Sequence, residues 1–311
     1  MWRTPDPVPL CPLGPVFFRN TPYSHCPVEN APCPRGASPF RPYSRCRYQR
    51  GDTAVRCEQK EYLSLARATQ WCKKTLRLFA LAHQFLQQLI EGDELYTRVH
   101  KKVGPDESQG WTVVLMDRAT RFLWDMHCGR KNRQMLKKAM SLLCQVIEQT
   151  GDLTLLTDGE RRYGSLLFEL CSQALRTGKR GRPKKTLPKG VKVRLKNKGS
   201  QRHRRGPKRP KYQAPYPEHP DTAQPRASKE IHANHLEAFH TSLRRRCAAY
   251  RRRTNMYAKP TGRLQERLDV YWIVPNFVRG HFTTRQVPAV ALGVLEHGLS
   301  LNEIFLIQTM A

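Results

Sequence analysis

The sequence predicts an α/β protein with a mixed β-sheet flanked by helices. Three short runs of β-branched and aromatic residues follow one another between residues 94 and 127, and turn residues bound each run. A helical run, a short apolar run and a second helical run come next. The order β-β-β-α-β-α implies three antiparallel strands followed by a right-handed helical crossover to a further strand.

Residues 1–58 are predicted to be a poorly ordered segment in front of the folded part. They are rich in Pro, Arg and Cys and show no period of 2 or 3.6. Little apolar surface can be buried there. Zinc binding is the alternative, although the cysteines of this segment lack the two close pairs of a zinc ribbon.

Residues 59–90 are predicted to be helical, because apolar residues recur at spacings of three and four. Two short helices in this position are compatible with a helix-turn-helix that reads DNA. A helix that packs on the domain or forms a dimer interface is an equally good interpretation.

Residues 91–290 are predicted to form the sheet domain, with a basic insertion at 177–229 and a C-terminal tail helix at 291–311. The apolar run LTLLT is typical of a buried central strand. The three tryptophans Trp111, Trp124 and Trp272 have apolar neighbours and are expected in the core. The predicted strands are 94–100, 111–116, 121–127, 153–157 and, as a possible edge strand, 191–198; the predicted helices are 131–150, 163–175, 234–253 and one around 264–274.

The charge of the chain points to an anionic partner. Fifty-five Lys and Arg against 25 Asp and Glu give a formal charge of +30, and nucleic acid is the natural counterweight because the excess is spread over most of the chain. A membrane surface is the rival partner, but no apolar run reaches the ~18–20 residues of a membrane span. The ten cysteines include no CxxC pair. With no secretory signal at the N-terminus, we expect reduced thiols in a cytoplasmic protein.

The densest charge lies in residues 178–211, which hold sixteen Lys and Arg and no acid. Within it, KRGRPKK resembles an AT-hook that inserts into a narrow minor groove. Contact of a mobile arm with phosphates is the plainer interpretation. The candidate DNA-binding residues of this run are Lys179, Arg180, Arg182, Lys184 and Lys185.

Three carboxylates stand out in so basic a chain. Asp93 is placed by strand periodicity on the same face as Leu95 and Val99, where an acid costs energy unless it is paired. Asp158 follows a buried strand directly, the usual place for ligands in open α/β sheets. Glu237 begins an Arg-rich helix. Ordinary alternatives exist: a turn for each aspartate, and a favourable helix-dipole contact for the glutamate.

The helix of Glu237 has two kinds of surface. An apolar stripe predicts burial against the sheet, and Glu237 lies at its flank with Arg244 on its own face, seven positions on. The arginines on the outer surface are suited to a polyanionic backbone. The candidate DNA-binding residues of this segment are Arg244, Arg245, Arg251 and Arg252.

Convergence of the three carboxylates predicts a magnesium site. Such acids repel one another at close range, and a divalent cation removes the repulsion. Mg²⁺ prefers oxygen ligands and is often shared between carboxylates and phosphate. Two ions about 3.5–4 Å apart can stabilise both the attacking and the leaving oxygen of a phosphodiester. Mn²⁺ is a plausible substitute.

Four stretches of the chain resemble the DDE-class transposases of bacterial insertion sequences, most of all the insertion-sequence-one type. These stretches are IEGDELYTRV, VVLMDRATRF, LLTDGERRYG and HANHLEAFHTSLRRRCAAYRRRTNMYAK. The resemblance covers about residues 64–305. Asp93, Asp158, Glu237 and Arg244 match the three acids of the family and the basic residue that follows the third.

The resemblance implies a ribonuclease-H-like fold and two Mg²⁺ ions held by Asp93, Asp158 and Glu237. It also implies DNA cleavage at transposon ends and transfer of the freed 3′-hydroxyl into target DNA. The enzyme would act as a homodimer or higher multimer in the bacterial cytoplasm, associated with the nucleoid. One departure is plain: residues 1–58 do not match the N-terminal zinc-binding module, with close cysteine pairs, that such proteins usually carry.

Several alternatives stay open at the level of sequence. Asp117, which opens the turn D-R-A-T, is a rival for the first acid, although Asp also suits that turn position and the family places a structural Asp-Arg there. A non-catalytic nucleic-acid-binding remnant of a transposase has the same composition. A structure-specific nuclease on the same fold would cut DNA and never join it.

Overall fold

The computed structural model describes residues 66–100, 103–158, 160–176, 178, 181–196, 212–213, 216–222, 232–251 and 255–309. At residues 158, 196, 212, 213, 308 and 309 the description covers the backbone alone. The predictions for residues 1–58 and for Lys179, Arg180 and Arg252 therefore lie outside the described residues.

The described chain contains seven α-helices and eight strands. The helices are α1 at 66–81, α2 Arg133–Glu148, α3 Arg162–Cys171, α4 Asn234–Arg246, α5 Thr261–Ile273, α6 Pro288–Ala291 and α7 Leu301–Thr309. The strands are β1 Gln88–Tyr96, β2 Trp111–Asp117, β3 Leu123–Gly129, β4 Leu153–Asp158, β5 Gln173–Leu175, β6 Lys184–Thr186, β7 Val191–Lys196 and β8 Tyr212–Gln213.

The central sheet has the strand order β3-β2-β1-β4-β7-β8. Strands β1, β2 and β3 form an antiparallel meander, whereas β4 lies parallel to both β1 and β7. The two-residue strand β8 adds an antiparallel edge, and β5 pairs with β6 in a separate hairpin. The predicted α/β class and mixed sheet with helical crossovers are confirmed.

Helices cover both faces of this sheet. Successive residues of a strand face opposite sides. Glu91 and Glu94 of β1 are three positions apart, so their contacts show which elements pack on each face. Glu91 bonds to the backbone N–H of Leu236 in α4, whereas Glu94 binds Lys131, just before α2. Helix α4 therefore lies on the face opposite to α2 and its neighbour α3, with β1 between two layers.

The core is one large apolar cluster that includes Trp124 and Trp272, both fully buried as predicted. Trp111 is only half-buried, and its indole N–H donates to the carbonyl of Pro105. The α5 helix continues as a π-helix, Val274–Val278, in which buried Asn276 bonds to both backbone groups of Leu123 and so satisfies the start of edge strand β3. Within the described chain, no helix combines the length and apolarity needed to cross a bilayer.

The second helix predicted within residues 59–90 is wrong. Helix α1 ends at residue 81, and the strand β1 begins at Gln88. The run from Gln88 to Gly92 pairs with Leu153 to Thr157 of β4. That partner is more than sixty residues away, so local spacing does not reveal it, and apolar spacings of three and four were mistaken for a continuing helix. Residues 82–90 thus do not form the second half of a helix-turn-helix.

Two further helices are shorter than predicted. Helix α4 ends at Arg246 and is followed by a 3-10 turn, Ala248–Tyr250, instead of continuing to residue 253. There the chain turns so that Tyr250 bonds to Thr112 of β2 and the carbonyl of Ala249 accepts from Thr97. Helix α3 ends at Cys171, before β5. Tertiary contacts of this kind end helices that periodicity alone would extend.

The basic insertion predicted at 177–229 is partly built into the sheet. Strand β7 buries Val191, Val193 and Leu195, and it pairs along its whole length with β4. Two of its cations are also buried: Lys192 pairs with Asp152 at 3.3 Å, and Arg194 pairs with Glu218. These side chains serve the fold, because a buried cation needs a carboxylate partner. The predicted strand is confirmed over 191–196, but it is not an edge strand, because β8 pairs with it at Leu195 and Lys196.

Candidate active site

Two of the three candidate carboxylates come from neighbouring strands. Strands β1 and β4 run parallel, and their pairing ends with Gly92 opposite Thr157. Asp93 and Asp158 are the next residues on the two strands. Adjacent strands are about 4.8 Å apart, so their backbones are direct neighbours. The side chain of Asp158 lies outside the described part; that of Asp93 is 24% exposed.

A buried network attaches α4 to this strand. One carboxylate oxygen of Glu91 accepts from Arg118 Nε at 2.7 Å and from His235 Nδ1 at 2.9 Å. The other accepts from the backbone N–H of Leu236 at 2.9 Å. Arg118 also donates to the carbonyl of His232. Glu91, which is fully buried, thereby fixes the first turn of α4 over β1.

This attachment brings the face of Glu237 close to Asp93. His240 lies one turn after Glu237, and its Nδ1 is 3.6 Å from Asp93 Oδ2. Glu237 itself is exposed. Arg244 is half-buried one turn beyond His240 on the same side of the helix. Glu237 and Arg244 therefore lie on the side of α4 that carries His240, and His240 approaches Asp93 beside the end of β4.

His240 is held neutral at this point. Burial lowers its pKa to about 4; the positive charge of Arg244 acts in the same direction, and Glu237 opposes it. Asp93, at 3.6 Å, also faces the ring. The Nε2 atom is buried without a hydrogen-bond partner among the described residues. The folded protein therefore keeps this imidazole neutral at neutral pH.

We expect this histidine to make the protein less stable in mild acid. Its folded pKa of about 4 lies below the ordinary 6.5, so the unfolded chain binds the proton first. The stabilisation is complete above pH 6.5 and disappears as the pH falls towards 4. The linked free energy is at most about 3 kcal/mol. Denaturation midpoints measured from pH 7.5 to 4.5 will fall more steeply for the wild type than for His240→Gln.

The matched control is His297→Gln, because His297 is exposed and its removal should leave the pH profile of stability unchanged. If the profiles of His240→Gln and the wild type coincide, the imidazole is not held neutral by the fold.

Asp117, the rival for the first acid, is a structural residue. Its carboxylate accepts from the backbone N–H of Leu89 at 3.1 Å and from the N–H and hydroxyl of Thr120 at 2.8 and 2.7 Å. Burial raises its pKa, and these hydrogen bonds oppose the rise. One oxygen therefore closes the turn after β2, and the other bonds to the backbone of β1. This favours Asp93 as the first acid.

Glu91, His232 and His235 have the composition of a metal site, and one potential ligand atom from each lies within 4.8 Å of the others. Arg118 already supplies the positive charge that Glu91 needs, at 2.7 Å. The other oxygen of Glu91 is taken by a backbone N–H. The donor set therefore fits a structural ion-pair network better than a cation.

Five of the predicted DNA-binding residues that the structure describes are exposed, and the sixth, Arg244, is half-buried. Arg245 and Arg251 are exposed at and just beyond the end of α4, and Arg182, Lys184 and Lys185 are exposed in and before β6. None of these five side chains forms an ion pair with a carboxylate of the described chain. Their charges are available to an anionic partner.

Sequence reasoning missed Glu91 and His240. Glu91 shares the face of Asp93 two residues earlier in the strand, and this spacing was a detectable signal. By helical spacing His240 falls on the face of Glu237, but its burial against Asp93 depends on how α4 packs. No local pattern gives that contact.

Comparison with models of known protein families found no match to this chain, and comparison with curated proteins found none either. The functional argument therefore rests on the residues and their geometry.

Proposed function

We propose that this protein is a DDE-class DNA transposase on a ribonuclease-H-like fold. One observation carries the proposal. Asp93 and Asp158 are adjacent on two parallel strands, and the helix that bears Glu237 is attached to the same strand beside Asp93. The sheet order and the helices on both faces support the fold assignment.

The carboxylates of Asp93, Asp158 and Glu237 are the residues that would hold Mg²⁺, with two ions as the expected number. Their oxygen donors fit this hard cation, and a neutral His240 adds no competing positive charge. When bound, the metal would activate a nucleophile and stabilise charge on the phosphodiester. The protein's own part is to position the acids: Glu91 fixes α4, and β4 places Asp158 next to Asp93.

The arginines of α4 would hold the DNA. Arg244 lies on the face of Glu237, and Arg245 is exposed beside it. Phosphate contacts of this kind fix the position of a duplex and carry no sequence information. Transposon ends and target DNA are the proposed partners, with a multimer holding two ends and the bacterial nucleoid as the place of action.

A strand-transfer assay tests the proposal. The full chain is incubated with Mg²⁺ and labelled duplexes that carry the sequences flanking its gene. We expect cleavage at the element end and joined products of increased length, both absent with EDTA or Ca²⁺. Cutting without joining would indicate a structure-specific nuclease instead. DNA binding with neither reaction would indicate a non-catalytic remnant.

A further inference from the structure

A groove of about 550 Å³ lies along the flank of α4 that faces away from Glu237. At 100° per residue, His235, Ser242 and Arg246 lie on one side of the helix, about 150° from Glu237. The other walls are the turn after β2 and the loop 279–283 that follows the π-helix. The groove is therefore separate from the carboxylate site, although both share one helix.

The lining of this groove is strongly cationic. Its arginines are Arg121, Arg245, Arg246 and Arg279, and no Asp or Glu is among its described lining residues. The last three form no ion pair with any carboxylate that the structure describes. Gathering like charges costs free energy unless an anion offsets the repulsion.

The loop at the edge of the groove carries a histidine, His281, that lies close to two of these arginines. His281 is half-buried there, and burial together with the positive charges of Arg121 and Arg246 lowers its pKa. Arg121 from the β2 turn, Arg246 from α4 and His281 from the loop are thus close enough to interact electrostatically. An anion in the groove would meet all three elements at once.

An exposed aromatic ring stands at the same edge. Phe282 is 80% exposed, and the guanidinium of Arg285 lies 4.9 Å from its ring centroid. So much exposed apolar area is costly in water. Aromatic rings beside a cationic track are stacking platforms for unpaired bases, and the bases of an intact duplex are not accessible to such a ring.

We propose that this groove binds a single-stranded segment of DNA, with phosphates at Arg246 and Arg279 and a base stacked on Phe282. The volume lies within the range of roughly 300–1,000 Å³ that is usual for small-ligand sites. The proposal rests on the proposed function only in taking DNA as the ligand, and it does not require catalysis. It gives the protein a second DNA surface on the far side of α4, suited to a strand that is unpaired at a cut end.

Anisotropy of a labelled oligothymidylate, titrated with the full chain without divalent metal, tests this proposal. Phe282→Ala should weaken binding about tenfold and Phe282→Trp should not. The double variant Arg246→Ala/Arg279→Ala should reduce the slope of log affinity against log salt by about 1.4, which corresponds to two phosphate contacts. A duplex of equal length should be little affected by Phe282→Ala.

Two matched controls complete the experiment. Lys137→Ala/Lys138→Ala removes the same charge from exposed positions of α2, and Phe305→Ala removes an exposed ring from α7. Equal losses for groove and control variants would overturn the proposal, as would equal effects of Phe282→Ala on single strand and duplex. Because no metal is present, these outcomes are independent of whether the chain transfers strands.

Discussion

Replacing Asp93 with asparagine is expected to abolish Mg²⁺-dependent strand transfer while DNA binding persists. The asparagine keeps the shape of the side chain but loses the charge that would hold the proposed metal. Loss of a metal-bound carboxylate should cost about 4 kcal/mol in the transition state, which is about a thousandfold in rate. The measurement is the rate of product formation on labelled duplexes, with binding followed in parallel by anisotropy.

Asp106→Asn is the control for this experiment, since Asp106 is exposed and remote from α4 in the contacts described. If Asp93→Asn reacts at the rate of Asp106→Asn, Asp93 is not the first acid of the site. Asp117→Asn gives a different signature: it disturbs the turn that Asp117 closes and should lower stability.

The largest effect on stability is expected from Glu91→Ala. This change leaves the Arg118 guanidinium, whose side chain is only 12% exposed, without its carboxylate. It also leaves the backbone N–H of Leu236 without an acceptor. Removing one partner of a buried ion pair costs about 3–5 kcal/mol. The free energy of unfolding, measured by urea titration, should fall by this amount.

Two further variants separate the loss of the Glu91 contacts from the general effect of removing a glutamate. Glu91→Gln keeps an acceptor for Leu236 and loses only the charge, so its loss should be smaller. Glu107→Ala removes an exposed glutamate and should change stability by less than about 0.5 kcal/mol. A Glu91→Ala protein as stable as Glu107→Ala would show that the network does not fix α4 to the sheet.

The sequence predicted the second and third strands of the meander well because their signals are local, whereas the first strand, predicted at 94–100, lies at Gln88–Tyr96. The second and third predicted strands differ from β2 and β3 by only one or two residues, since β-branched runs and turn residues lie within a few positions of one another. The end of α1 was missed for the opposite reason. Residues Gln88 to Ile90 join a sheet through distant β4, and no neighbouring residue signals that pairing.

The candidate site divides in the same way. Residue type and position singled out Asp93 and Glu237, because acids are rare in so basic a chain and each occupied an unusual place in its element. The position of α4 relative to Asp93 depends on tertiary packing: Glu91 attaches the helix to β1, and His240, one turn after Glu237, lies 3.6 Å from Asp93.

By itself the sequence determined the α/β class, the order of strands and helices between residues 111 and 171, the cationic character of the protein and the acids worth testing. Tertiary structure alone decided that β7 is a sheet strand with buried cations, that Asp117 closes a turn, and that α4 separates a carboxylate face from a cationic groove. The physical reason is the distance along the chain over which each kind of interaction acts. Periodicity and composition record short stretches of chain, whereas burial, ion pairing and the meeting of remote side chains depend on how those stretches pack.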